Sequence, residues 1–204
     1  MKILDVILQK RMYLSRILGV FGILSLLFIT SAWETHSPLV EESLFFAGML
    51  LVAVGVVGRV WCLGYLVGKK ARKLVTEGPF SLCRNPLYLF SFLGVLGVCL
   101  CTETMTVALV VMPIFVLVHL RAVRNEEAKL LSVFGGDYES YVRKVPRFIP
   151  SFRGFVESDT LSVNGVLFRK GIMEVSMFIV LVGVIEVSEA MHEFGVLPSL
   201  VNLF

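Results

Sequence analysis

Side chains suited to binding charge gather in two short stretches of the 204-residue chain. The first reads Glu77-Gly78-Pro79-Phe80-Ser81-Leu82-Cys83-Arg84-Asn85-Pro86-Leu87-Tyr88. Gly78-Pro79 marks a turn, Asn85 is a natural N-cap, and Pro86 fits a helix first turn, where its missing N–H costs nothing. Arg84, Asn85 and Tyr88 therefore surround a helix N-terminus, whose free N–H groups and dipole favour anionic groups. The second stretch holds Arg121, Arg124, Asn125, Glu126, Glu127 and Lys129. Helical spacing sets Arg124 beside Glu127, and Glu126 beside Lys129, at i,i+3. After Gly135-Gly136 come Asp137-Tyr138-Glu139-Ser140-Tyr141 and then Arg143-Lys144-Val145-Pro146-Arg147-Phe148-Ile149-Pro150. Taken singly, these are a capped helix, surface ion pairs and a basic juxtamembrane run, each of modest energetic weight.

The elements that must position these residues are membrane helices. Hydrophobic residues make up 56% of the chain and charged ones 17%, with a mean hydropathy of +0.84. A soluble domain carries roughly 25% charged residues, so lipid must solvate part of this apolar surface. Apolar runs at about 13–33, 44–67, 86–101, 104–120 and 172–197 predict an all-α polytopic bundle of about five transmembrane helices, in one integral membrane domain over 1–204. The third is short for a span, and the fifth carries Glu174, Glu186 and Glu189. The first run is too long for the h-region of a cleaved signal and reads as a retained helix. The fourth has no breaker at its end, so its helix is expected to leave the membrane and continue to about Phe134, stopping at Gly135-Gly136.

All but one of the 19 basic residues fall before the first run, between the second and third, or between the fourth and fifth. The opposite loops hold only acids: Glu34, Glu41 and Glu42, then Glu103, then Glu193. The positive-inside rule places the N-terminus and both charged stretches in the cytoplasm, and the C-terminus outside. Basic loops beside anionic headgroups account for the net charge of +3 without a nucleic-acid partner. Cys62, Cys83, Cys99 and Cys101 show neither CxxC nor paired-His spacing, so neither a disulfide framework nor a metal site is supported. Arg59, inside the second run, needs a partner or a cavity, and Glu174 or Glu186 are the expected partners. Gly55, Gly58, Gly64, Gly68, Gly94 and Gly97 sit in apolar helices and suit close helix packing.

In combination, Arg84-Asn85-Pro86-Leu87-Tyr88, Glu126-Glu127, Phe134-Gly135-x-x-Tyr138-x-x-Tyr141 and Val145-Pro146-x-x-Ile149-Pro150 resemble the isoprenylcysteine carboxyl methyltransferase family, in order and spacing. The related phospholipid methyltransferases share the paired acids. The resemblance covers about 75–150, a methyltransferase-like core, and leaves the tail at 155–204 unmatched. It implies an S-adenosylmethionine-dependent methyltransferase with a cytoplasmic helical cofactor-binding region. It further implies a lipophilic methyl acceptor entering from the bilayer, such as the carboxylate of a prenylated cysteine. The family's first motif often reads Arg-His-Pro; Asn85 stands at the middle position here and cannot act as an acid or base near neutral pH.

Carried onto this chain, the resemblance makes Arg84 and Glu127 the candidate catalytic residues. It makes Arg84, Asn85, Pro86, Tyr88, Glu126, Glu127, Tyr138 and Tyr141 the candidate cofactor-binding set. Glu126 or Glu127 suits the cofactor's ammonium. Arg84 suits its carboxylate, with Arg124 and Arg143 as unmatched alternatives. The tyrosines suit adenine or the sulfonium. A carboxylate acceptor needs no general base, and His119 is the outlying candidate for one. Alternatives are a phospholipid-amine or small-thiol methyltransferase, and a non-catalytic membrane scaffold on the same fold. A transporter is a further option, for which the chain shows no supporting repeat.

Overall fold

The computed structural model describes residues 29–67, 73–161, 163–198 and 201–203. Among these, α2 (Pro38–Leu66), α5 (Met105–Phe134) and α7 (Gly165–Glu193) are long and apolar enough to cross a membrane. A fourth apolar helix, α4 (Pro86–Leu100), has 15 residues. At the α-helical rise it is about 22 Å long, short of the roughly 30 Å hydrocarbon layer. The protein is an integral membrane protein with an all-α core.

Helix boundaries follow local chemistry more than apolarity. Pro38 at the first turn starts α2 more than a turn before the apolar run. Asn164 caps α7 by accepting from the Leu167 N–H at 3.2 Å, so that helix begins at Gly165 rather than near Ile172. It ends at Glu193, ahead of Gly195 with φ +68°, and does not reach Leu197.

The expected first span is corrected at its end. Residues 13–28 lie outside the described residues, as do Gly68 and the basic residues Lys2, Lys10, Arg11, Arg16, Lys69, Lys70 and Arg72. Ile29–Ser31 is a strand, β1, followed by the single-turn α1 (Trp33–His36). β1 runs parallel to β2 (Val201–Leu203), with Ile29, Thr30 and Ser31 opposite Val201, Asn202 and Leu203. Thr30 Oγ1 donates to the Asn202 side chain, and Ala32 N–H donates to the Leu203 carbonyl at 2.8 Å. These polar side chains and β-branched residues favour a short ladder over continued helix.

α2 and α4 pack antiparallel through glycines. A Cβ at Gly55 would lie 2.7 Å from Gly94 Cα, and one at Gly97 would lie 2.6 Å from the Gly48 carbonyl. Gly58 admits the Phe90 ring, whereas Gly64 faces Leu161 at 3.6 Å and takes no part in this contact. Val52, Val98, Cys101 and Val182 form the core between α2, α4 and α7. All four cysteines are buried free thiols.

Of the two acids the sequence offers Arg59, Glu174 is the one whose charge acts on it, without a close ion pair. Its guanidinium donates to Ser91 Oγ on α4 and lies 5.8 Å from the Phe178 ring centroid on α7. Antiparallel packing brings Ser91 to the level of Arg59, where a hydroxyl and an aromatic face add to the attraction of the acid. At the other end of the bundle, carboxylate oxygens of Glu41, Glu103 and Glu189 lie within 4.8 Å of one another.

α5 carries the chain out of the membrane. Its 30 residues give a length of about 45 Å, well beyond the apolar layer. It stops at Gly135, whose φ of +51° only glycine adopts easily and whose N–H closes on the Leu131 carbonyl at 2.9 Å. α6 (Gly136–Lys144) folds back from there. The following strap then runs beside the loop ahead of α4. Arg84 N–H donates to the Pro146 carbonyl at 2.8 Å, Ser151 N–H to Leu82 at 2.9 Å, and Gly78 N–H to Val156 at 2.7 Å.

Candidate active site

The loop before α4 is fixed on both sides. Gly78 at φ +58° lies against the Tyr65 ring, where a Cβ would come within 2.3 Å. The one-turn helix α3 (Pro79–Leu82) follows. Its Ser81 hydroxyl donates to the Gly78 carbonyl at 2.6 Å and accepts from Val156 N–H at 3.2 Å. Extended backbone at Cys83 then delivers Arg84 and Asn85 to the start of α4, with Pro86 opening the helix.

Asn85 occupies the N-cap position, yet its side chain makes no capping bond. Its amide, 6% exposed, instead donates to Glu127 Oε1 at 2.9 Å and to the Arg147 carbonyl at 3.4 Å. A part-buried carboxylate is the stronger acceptor demand, and satisfying it outweighs one helix N–H.

Glu127 is the centre of charge. Arg147 grips it in a fork, Nη2 to Oε2 at 2.7 Å and Nε to Oε1 at 3.2 Å. Arg84 Nη1 stands farther off, 3.6 Å from Oε1. The i,i+3 pairs expected on α5 are absent from these contacts: Glu127 turns from Arg124 to Arg84 and Arg147, and Glu126 turns from Lys129 to Tyr88, whose hydroxyl donates to Oε2 at 3.0 Å. Surface i,i+3 pairs gain only a few tenths of a kcal/mol, less than charge pairs sheltered from water.

Successive residues on a helix point about 100° apart, so Glu126 and Glu127 face different spaces. Glu127, with Arg84, Arg124, Tyr138, Glu139 and Arg143, lines an open cavity of about 550 Å³. Glu126 lines a more enclosed one of about 90 Å³, with Asn85, Pro86, Tyr88, Tyr141 and the apolar side chains of Leu66, Leu87, Leu130 and Phe134. Arg84 borders both cavities.

Two polar atoms at this junction, Arg84 Nε and Tyr138 Oη, are buried without a hydrogen-bond partner. Burial, reinforced by Glu127, pushes the Tyr138 hydroxyl pKa up, although the Arg84 charge opposes it. Tyr141, raised chiefly by burial, donates its hydroxyl to the Phe80 carbonyl at 2.6 Å. Both are neutral donors at physiological pH. Burial also raises the Cys83 thiol to about 11, which leaves it a poor nucleophile.

Residues 43–137 match the family described as phospholipid methyltransferase. Across 96% of its length the chain is 36% identical to a cobalt-zinc-cadmium resistance protein of Cupriavidus metallidurans, spanning 89% of that protein. It is 31% identical to a nickel-cobalt-cadmium resistance protein of Alcaligenes xylosoxydans xylosoxydans, over 90% of this chain and 86% of the relative. It is also 30% identical to a protein-S-isoprenylcysteine O-methyltransferase of Schizosaccharomyces pombe, over 60% of this chain and 52% of that enzyme. The chain belongs to this family of membrane methyltransferases. No solved structure matches it at a significant level.

In this methyltransferase the sequence-derived set divides between two cavities. Asn85, Pro86, Tyr88, Glu126 and Tyr141 border the enclosed one, Glu127 and Tyr138 the open one, and Arg84 both. Arg124 and Arg143, the unmatched alternatives, line the open cavity too. His119 lines neither cavity. Its Nδ1 is 2.8 Å from the Phe115 carbonyl, its ring stacks on Phe115 at 3.7 Å, and it meets Tyr88 only edge-on. Sequence reasoning missed Arg147, which sits inside a run of basic residues. The one available signal was its place directly after Pro146, in chain too proline-rich to be a plain helical surface.

Proposed function

We propose that this methyltransferase uses S-adenosylmethionine and methylates a lipophilic acceptor drawn from the bilayer. The observation that carries the reading is Arg84, which borders both the open cavity and the enclosed one while its Nε lacks a partner among the described residues. The donor set fits the cofactor. A buried cation with an open valence suits its carboxylate. Glu126, held among the described residues by the Tyr88 hydroxyl, keeps lone pairs for the ammonium. Tyr138 offers a ring face and an unused hydroxyl. The open cavity is within the usual size range of ligand sites, about 300–1,000 Å³. When bound, S-adenosylmethionine supplies a methyl group activated by its sulfonium.

The chain's own residues then bind, orient and exclude water. The apolar wall of Leu66, Leu87 and Leu130 lines a cavity of about 90 Å³, room for the reacting end of an acceptor whose tail stays in the bilayer, and keeps that end dry. Neither Asn85 nor the high-pKa tyrosines removes a proton near neutral pH. This favours an acceptor whose nucleophile arrives ionised, such as the carboxylate of a prenylated cysteine. The description of the matching family favours a second acceptor, the amine of a phospholipid. The names of the two long relatives suggest that the methylation serves resistance to divalent heavy metals.

Membranes containing the chain, incubated with methyl-labelled S-adenosylmethionine and then fractionated, test these readings. Base-labile label in the lipid or prenyl-peptide fraction supports a carboxylate, and base-stable label in phospholipid supports the amine. Absence of label from every fraction, with no binding of the cofactor, would sink the enzyme reading and favour a scaffold.

A further inference from the structure

We infer that Arg147 is a positioning residue, which neutralises Glu127 so that Arg84 stays available to a ligand carboxylate. The inference rests on the cofactor reading above. Two arginines compete for one carboxylate. Arg147 makes both fork contacts, at 2.7 and 3.2 Å, and its guanidinium is backed by the Phe148 ring at 5.5 Å. Arg84 is held at 3.6 Å, and its Nε has no partner. A bidentate pair is the strong arrangement, and a single contact at 3.6 Å is beyond hydrogen-bond range.

The surroundings enforce this division. The backbone bond from Arg84 N–H to the Pro146 carbonyl sets the two arginines on adjoining chains. Asn85 adds a donor to Glu127 Oε1 and another to the Arg147 carbonyl, tying the strap to the same carboxylate. With Arg147 removed, Glu127 has Arg84 as its nearest remaining cation and draws it in. The ligand then has to break that new pair before binding.

The consequence is selective. Removing Arg147 weakens ligands that carry a carboxylate and spares those that lack one. Purified full chain in lipid nanodiscs is titrated by calorimetry with S-adenosylmethionine and with its decarboxylated analogue. Arg147→Gln is expected to weaken S-adenosylmethionine about tenfold, the scale of one charged hydrogen bond, and the analogue less than twofold. Arg147→Lys, which keeps the charge without the fork, should lie between. Adding Glu127→Gln to Arg147→Gln frees Arg84 again and restores affinity, which a merely structural role for Arg147 does not predict.

Equal weakening of both ligands, or no recovery in the double variant, overturns the inference while leaving the cofactor reading intact. If Arg147→Gln fails to fold, Arg147→Lys carries the same comparison between the two ligands. Wild-type chain that binds neither ligand overturns the cofactor reading itself.

Discussion

Asn85 donates its side-chain amide to Glu127 at 2.9 Å, across 42 positions of sequence. The contact joins the start of α4 to the part of α5 that has left the membrane. It does so with an amide that holds a carboxylate in place and moves no proton.

That bond predicts a stability cost. Asn85→Leu keeps the γ-branched shape in a somewhat larger side chain and leaves a part-buried carboxylate short of one donor. About 1–3 kcal/mol should be lost, seen as a lower thermal midpoint in nanodiscs. Asn85→Asp, which sets a second carboxylate against Glu127, should be worse. A midpoint unchanged in both would mean that Glu127 is fully satisfied by arginine.

The two tyrosines of α6 should separate. Tyr141→Phe strands the Phe80 carbonyl at a 2.6 Å bond and should cost about 1 kcal/mol of stability, with cofactor affinity nearly unchanged. Tyr138→Phe removes a hydroxyl that lies beside Arg84 without a well-formed hydrogen bond, so stability should change little while cofactor affinity falls. Parallel melting and binding curves decide it, and the reverse pattern would exchange their roles.

Packing of α2 on α4 is testable without any ligand. At Gly97 a Cβ meets the Gly48 carbonyl at 2.6 Å and Val52 N at 2.7 Å, both backbone atoms. Gly97→Val should therefore destabilise by about 1–3 kcal/mol or prevent folding. Gly183→Ala, on an open helix face with nothing within 4 Å, is the matched control. Equal midpoints for the two variants would refute the close contact.

Glu103 gives a pH dependence whose sign follows from its surroundings. Burial, then the Glu189 and Glu41 carboxylates, raise its pKa from 4.5 to about 9. The folded state thus binds a proton that the unfolded chain releases above pH 4.5. The stability from this group is fully present below pH 4.5 and is lost as pH rises toward 9. Melting curves over that window should fall for the wild type and flatten for Glu103→Gln; a wild-type curve rising with pH would contradict the assignment.

Much of this site was legible in the sequence because helical chemistry is local. The reach of α5 to Phe134 followed from an unbroken run ending in glycine, and the paired acids sat at the expected place on it. Helix partners were less legible. Nothing local links Glu127 to Arg147, because the strap doubles back through Gly135 before the pair can form. Asn85 was read as a cap because capping is a short-range rule, and a part-buried carboxylate from a distant helix overrode it. For Arg59 the sequence named Glu174 as a partner, and the packing adds Ser91 and the Phe178 ring, which no local rule could supply.

The β1–β2 pair has a meaning for assembly. Ile29–Ser31 is made well before its parallel partner Val201–Leu203, with all the described helices between them. Early and late chain can meet only after every intervening helix is in place. The seam is therefore a late stitch of the fold. Deleting Val201–Leu203 should leave an inserted bundle in which Ile29–Ser31 has never been fastened.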